Sequence, residues 1–191
     1  MDGLTRRLEA ILFLAPRPVT AAELAAACAV NETEVDGAMT ALASEYAAGR
    51  HGVELREVAG GYQLVVALDC EEAVRAYAGE RRPEDLSPAL LETLAVVAYL
   101  QPATRADVAR VRGVSSEWAL SALEDRGLIE EQGRADTPGA PILYRTTQRF
   151  LTLFGLRDLS HLPPLDGFAP SVDDVEELRA RLLANAERRA P

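Results

Sequence analysis

The 191-residue sequence contains no lysine, only two cysteines and two histidines, and few aromatic side chains (5%). All 20 cationic side chains are therefore arginine, whose planar guanidinium favours bidentate contacts. Cys28 and Cys70 are too few for a disulfide framework or a cysteine metal site, and we predict that both are small buried side chains. His51 and His161 have no partner at a metal-ligand spacing, which disfavours a metal site and a histidine base.

Long apolar runs are missing as well. Residues 94–100 are as long an apolar run as any in the sequence, and they are far too few to span a membrane. Near the N-terminus, Glu9 and Pro16 interrupt the apolar stretch that a secretory signal would need. We therefore expect a cytoplasmic protein without membrane contact.

Catalytic motifs are absent from the sequence. Gly60-Gly61 lies between two predicted strands, whereas a phosphate-binding glycine loop joins a strand to a helix. Neighbouring acids in sequence point their side chains apart, as at Glu71-Glu72 and Glu130-Glu131. We therefore predict that they lie on solvated surfaces and do not form a catalytic carboxylate pair. We predict a protein that is not an enzyme and that carries no cofactor and no metal.

Acidic side chains outnumber basic ones and give a formal net charge of −10. Binding to DNA requires cations that displace counterions from phosphates. Residues 1–80 carry 6 arginines against 13 acids, whereas residues 81–160 carry 10 against 11. The first part of the chain is therefore a poor candidate for DNA binding, and the charge alone leaves the second part open.

Helical periodicity and turn residues predict a winged helix in the first part of the chain. An apolar stripe marks a helix over residues 4–15, and two capping boxes, Thr20 with Glu23 and Asn31 with Glu34, start two more helices. Alternating strands over residues 53–58 and 62–68 then flank the turn at Gly60-Gly61. Three helices followed by a hairpin are the winged-helix order, and a short helix over residues 71–78 comes next.

The same order recurs further along the chain. Residues 18–25 align with residues 102–109 at an offset of 84, and a stripe at Leu90, Leu94, Val97 and Ala98 marks a new first helix. A second hairpin over residues 128–132 and 142–146 precedes a short helix over 148–154, whose Phe150, Leu151 and Phe154 we expect to pack inward. The predicted fold class is α+β, mainly helical, with two tandem winged-helix domains, a variant of helix-turn-helix, and a flexible C-terminal tail. The predicted boundaries are 1–80, a linker at 81–86, 87–165, and a polar tail at 166–191.

The third helix of each repeat would enter the major groove in a DNA-reading protein, and its exposed face would carry Arg, Lys, Asn or Gln. The exposed positions are instead mostly acidic: Glu32, Glu34 and Asp36 in the first repeat, and Glu117, Glu124 and Asp125 in the second. Carboxylates repel phosphates, so direct reading of bases is disfavoured.

A cationic set occurs in the second repeat at Arg105, Arg110, Arg112 and Arg134. It is either a solvated surface that balances nearby acids or a contact surface for an acidic partner. Trp118, the one tryptophan in the chain, lies near the start of the third helix. It is either a core side chain or an interface anchor beside the arginines.

The second repeat resembles, almost throughout, the bacterial segregation and condensation protein B family (ScpB). The similar segments are residues 86–99, 101–105, 111–114, 133–139, 141–144, 150–156 and 162–165, joined in the first repeat by residues 9–13 and 60–64. The resemblance implies a non-enzymatic adaptor in chromosome condensation and segregation, cytoplasmic and associated with the nucleoid. Its implied partners are a second copy in a homodimer and the kleisin, segregation and condensation protein A, which bridges the heads of the SMC ATPase. Contact with DNA would be indirect or weak.

The resemblance implies that the two domains bind different partners, and it predicts which residues of this chain contact each one. We expect the second domain to bind the kleisin through Tyr99, Gln101, Pro102, Arg105, Arg112, Trp118 and Tyr144. We expect the first domain to dimerise through Leu4, Leu8, Ile11 and Leu12, although the same stripe is needed for that domain's own core. The alternative function is a winged-helix transcriptional regulator that binds DNA through the arginines of the second domain.

Overall fold

Capping side chains start the first three helices of the chain. Asp2 accepts a hydrogen bond from the Thr5 N–H (2.7 Å), and both predicted capping boxes, at Thr20 and Asn31, are formed. Each cap satisfies backbone N–H groups that have no partner within the helix. In order, the elements are α1 (Gly3–Leu14), α2 (Ala21–Cys28), α3 (Glu32–Glu45), strands β1 (Val53–Val58) and β2 (Gly61–Val66), a 3-10 turn (Leu68–Cys70) and α4 (Glu71–Ala78).

The computed structural model describes residues 2–78 and 86–164. Residues 1–160 pack as one unit and residues 161–191 as another, of which 161–164 are described. Most of the predicted linker and the whole predicted tail at 166–191 lie outside the described residues. No helix in the described part is long and apolar enough to cross a membrane.

Helices α1, α2 and α3 pack around one apolar core. Leu8, Leu24, Val35 and Leu42 are fully buried there, at the positions that the helical periodicity predicts. Cys28 is buried with them, as predicted, whereas Cys70 is only half-buried. Removing these side chains from water is the main source of stability for this half of the chain.

Backbone hydrogen bonds tie strand β2 of the first hairpin to the segment between α1 and α2. The N–H of Val19 donates to the carbonyl of Tyr62 (2.9 Å), and the N–H of Tyr62 donates to the carbonyl of Val19 (2.8 Å). Gly61, the first residue of β2, lies against Val19 so closely that a Cβ built there would be 2.9 Å from Val19 backbone atoms. A glycine is therefore required by space at this position.

The second half repeats this arrangement with one addition. Its elements are α5 (Pro88–Leu100), β3 (Ala103–Thr104), α6 (Arg105–Arg112), α7 (Glu117–Asp125), β4 (Ile129–Arg134), β5 (Ile142–Thr146), α8 (Gln148–Leu153) and a 3-10 turn (Leu159–His161). The sheet order is β3-β5-β4, and Ala103 pairs with Tyr144. Strand β3, which sequence patterns missed, is the counterpart of the Val19–Tyr62 bridge: Ala103 follows Val19 at the offset of 84, and Tyr144 follows Tyr62 at an offset of 82. The predicted fold class, α+β and mainly helical with winged-helix units, is confirmed.

The core of the second half also follows its predicted stripe, since Leu90, Leu94, Val97 and Ala98 are all buried. The prediction for α8 is right in part. Phe150 and Leu151 are buried, but Phe154 lies just beyond the helix and remains 44% exposed, with its ring only stacked at the edge of Phe150. The helix ends one residue early because Gly155 turns the chain into the left-handed region.

The capping box of α2 predicts an acid-dependent loss of stability. Hydrogen bonds from Arg17 and from Thr20 hold the pKa of Glu23 at about 2, against its usual 4.5. A lowered pKa in the folded state stabilises the protein above pH 4.5, and this contribution is lost as pH falls towards 2. We therefore expect Glu23→Gln to lower the melting temperature at pH 7 and to match the wild type near pH 2. Thermal unfolding of both proteins across this range checks it, and a difference that does not change with pH would contradict it.

Candidate interface on the second winged helix

A groove of about 540 Å³ lies between helix α6 and the β4–β5 hairpin. Its walls are mostly apolar, and a guanidinium stands at each of two positions on its rim. The residues that line it are Arg105, Ala106, Ala109, Ser115, Ser116, Arg134, Pro141, Ile142 and Tyr144. A groove with apolar walls and fixed cations suits an extended segment that carries both apolar and acidic side chains.

Arg105 is positioned by the start of α6. It directly follows the N-cap Thr104, whose side chain accepts from the Asp107 N–H at 3.2 Å. A hydrogen bond with Tyr144 and the charge of Glu117 together raise the pKa of Arg105. Glu117 and Arg105 form an ion pair in which both side chains are at least half exposed. The guanidinium is thus oriented in advance, while its acidic partner can exchange with another carboxylate at little free-energy cost.

Arg134 supplies the second cation at the end of β4. Its guanidinium donates to the carbonyl of Ala140 (2.9 Å), across the base of the wing. The strand is interrupted nearby by a bulge between Glu131 and Gly133, and Gly133 has a φ of 128° that favours glycine. This bulge sets where Arg134 leaves the strand and so places its charge beside the groove.

The structure rules out the core interpretation of Trp118. The side chain is 68% exposed on helix α7, so it does not fill the core. It directly follows Glu117, the ion-pair partner of Arg105, and therefore lies next to the groove residues in the chain. A large exposed aromatic side chain is a candidate binding anchor.

The other predicted contact residues lie in different places. Arg105 and Tyr144 line the groove, although Tyr144 is almost fully buried and presents only its edge. Gln101 accepts hydrogen bonds from the N–H and the hydroxyl of Thr146 (2.8 and 3.0 Å), which is a structural tie between α5 and β5. The side chain of Arg112 is only 10% exposed and pairs with Glu92 (3.2 Å).

Tyr99 and Pro102 are also outside the groove lining. Tyr99 is half-buried on α5, and Pro102 is exposed just before β3. The groove residues Ala106, Pro141 and Ile142 were missed, because no sequence pattern marks a surface that α6 and a distant hairpin form together.

The predicted dimer stripe on α1 serves the core of its own domain. Leu8 and Leu12 are buried, and Leu4 and Ile11 are half-buried against the same core. A direct role in dimer contact is therefore not proposed for Leu8 and Leu12. The exposed apolar side chains of this helix are Phe13 and Leu14, each 79% exposed at its C-terminal end. The predicted apolar stripe did not include Phe13 and Leu14, because they do not fall at its helical spacing.

Three of the four arginines in the predicted cationic set form ion pairs with acids. Arg105 pairs with Glu117, Arg110 with Asp107 at 2.9 Å, and Arg112 with Glu92. The exposed face of α7 is acidic, as predicted, with Glu117, Glu124 and Asp125 on the surface. This acidic face would repel phosphates, which disfavours DNA as the ligand.

No group of metal-ligating side chains occurs within residues 2–78 and 86–164. His51 is exposed, lies 3.8 Å from a carboxylate oxygen of Glu45 and stacks at a tilt on Tyr46. These contacts are those of a surface side chain.

Comparison with known proteins gives consistent matches over most of the chain. A family profile described as segregation and condensation complex subunit ScpB matches residues 6–165. Segregation and condensation protein B of Moorella thermoacetica is 42% identical over 180 residues, covering 94% of this chain and 92% of that protein. The crystal structure of ScpB from Mycobacterium tuberculosis is 36% identical and covers 82% of this chain and 98% of that one, with a TM-score of 0.39. A crystal structure described as a dimer of the ScpB N-terminal domain complexed with ScpA peptide is 22% identical and covers 38% of this chain and 91% of that one, with a TM-score of 0.37.

Proposed function

The chain belongs to the ScpB family of segregation and condensation complex subunits, and we propose that it is a non-enzymatic adaptor that binds the kleisin, segregation and condensation protein A. We place the kleisin in the groove between α6 and the β4–β5 hairpin. Through the kleisin the adaptor would join the SMC ATPase at the nucleoid in the cytoplasm. We also propose that residues 1–80 and 87–165 are separate domains joined by residues 81–86.

One observation carries the location of the kleisin. In a chain with a net charge of −10, the groove brings Arg105 and Arg134 to the rim of an apolar surface. An acidic and apolar peptide would gain charge-assisted hydrogen bonds at the rim and bury carbon on the walls. The exposed Trp118 would add an anchor beside it.

The exposed end of α1 supports a homodimer. Phe13 and Leu14 are neighbouring large apolar side chains on the first winged helix, and burying both against a second copy would remove apolar surface from water. The related crystal structure is of a dimer of the N-terminal domain with an ScpA peptide, but its likeness to this chain is too low to transfer that arrangement. Our proposed position for the kleisin therefore rests on the groove of this chain alone.

Charge reversal at one arginine tests the groove. We expect Arg105→Glu to weaken kleisin binding by roughly tenfold to a hundredfold, because it removes a groove cation and leaves Glu117 to repel an acidic segment. Arg110→Glu is the matched control, since Arg110 lies on the same helix, is exposed and pairs with an acid outside the groove lining. Calorimetric titration of the full-length kleisin into each variant measures the effect. Equal affinities of the two variants would show that the groove is not the binding site.

A further inference from the structure

The tip of the first hairpin carries two backbone donors that point away from its own strands. Ala59 and Gly60 both have left-handed backbone angles, with φ of 52° and 71°. Their N–H groups donate to the carbonyls of Leu156 (2.8 Å) and Arg157 (3.0 Å), which follow helix α8 nearly a hundred residues later in the chain. Two consecutive left-handed residues at a turn present neighbouring N–H groups to one side, so the tip is built to hold carbonyl oxygens.

The segment that carries the two acceptor carbonyls is itself hydrogen-bonded to helix α8. Gly155 has a φ of 63° and ends α8, while the N–H of Leu156 returns to the carbonyl of Leu151 (2.9 Å). This is the hydrogen-bond pattern of a glycine-terminated helix end. It fixes the direction of the Leu156 carbonyl relative to α8 and thus to the second winged helix.

An ion pair closes the contact from the side. The guanidinium of Arg157 lies 2.9 Å from a carboxylate oxygen of Glu57 on β1, close to the hairpin tip. Burial raises the pKa of Tyr62 on β2, and the positive charge of Arg157 partly opposes this rise. The charge of Arg157 therefore lies near both strands. Two backbone hydrogen bonds and one ion pair therefore meet at one place.

We propose that residues 155–157 form a clasp that docks on the tip of the first hairpin within the same chain and sets the arrangement of the two winged helices. Ala59 and Gly60 are the two central residues of the turn between Val58 and Gly61, so their N–H groups are not used in the strand ladder and the clasp supplies their partners. A partner that contacts both winged helices would then bind without first having to order them.

Amide hydrogen exchange in the full chain tests the clasp at the bonds that define it. We expect Arg157→Glu and Glu57→Arg each to speed exchange at Ala59 and Gly60 by roughly fivefold to tenfold, since each places like charges together and opens the contact. The double variant, with the two charges swapped, restores the slow exchange. Tyr62, whose N–H is bonded within the first winged helix, keeps its rate in every variant.

Arg145→Glu is the matched control because it breaks an exposed ion pair with Glu130 (2.7 Å) inside the second sheet. We expect it to leave exchange at Ala59 and Gly60 unchanged. The clasp is overturned if Arg157→Glu leaves the two amides as slow as in the wild type, or if the charge swap fails to restore them. Protection that appears only at concentrations where the protein dimerises would overturn it too, since the contact would then be between chains.

Discussion

Replacing Trp118 with alanine is expected to weaken kleisin binding about thirtyfold, which corresponds to the roughly 2 kcal/mol of a binding hot spot. The side chain is 68% exposed and therefore contributes little to the free energy of unfolding. Its indole can bury apolar area and donate one hydrogen bond when a partner covers it. The loss should appear in calorimetric titration with full-length kleisin, while the melting temperature of Trp118→Ala stays close to that of the wild type.

Tyr77→Ala supplies the control for this variant. Tyr77 is an even more exposed aromatic side chain (94%), and it lies on α4 in the first half of the chain. We expect its removal to leave the affinity unchanged. If Tyr77→Ala weakened binding as much as Trp118→Ala, or if Trp118→Ala had no effect, the kleisin site would not be at the second winged helix.

The second large effect is on stability, for Gly61→Ala. The added methyl group would lie 2.9 Å from the backbone of Val19, where neither partner is a flexible side chain. We expect the free energy of unfolding to fall by about 2–3 kcal/mol, in the range of overpacked buried sites. Urea denaturation followed by circular dichroism measures the change.

Gly37→Ala is the matched substitution for Gly61→Ala. Gly37 is exposed in the middle of α3, and a Cβ there meets no atom within 4 Å. Alanine should therefore raise the free energy of unfolding by about 0.5–1 kcal/mol, because glycine loses more backbone entropy on folding. If Gly61→Ala raised the free energy of unfolding as Gly37→Ala does, the close approach of Gly61 to Val19 would be wrong.

Local signals account for what the sequence predicted well. Thr20 and Asn31 cap helices because their side chains satisfy the N–H groups three residues on, an interaction that is complete within one turn. The apolar stripe of α5 correctly predicted which of its residues are buried, because a helix that packs on a core buries one face. The repeat at an offset of 84 aligns Ala103 with Val19, but strand β3 itself was not predicted.

Features that depend on distant segments could not be predicted. Whether Trp118 is buried depends on how α7 packs, and the periodicity of that short helix does not decide it. The groove needs α6 and a hairpin some thirty residues away to meet. The hydrogen bond from Ala59 to Leu156 joins two segments that are far apart in the sequence. Neither segment carries a local pattern that predicts this contact.

The α1 stripe shows a further limit of sequence patterns. Leu8 and Leu12 repeat at helical spacing, and such spacing marks a buried face without saying what buries it. In the structure their own domain does so. The exposed Phe13 and Leu14 follow directly in the chain and are the apolar side chains of α1 that remain for a second copy.

Light scattering of the full chain mixed with full-length kleisin, with and without excess duplex DNA, tests the central claim most directly. We predict that the protein alone has the mass of a dimer, and that it forms a heavier complex with kleisin that excess DNA does not displace. A protein that forms no complex with kleisin and binds DNA with a steep dependence on salt would contradict the account and favour a DNA-binding regulator.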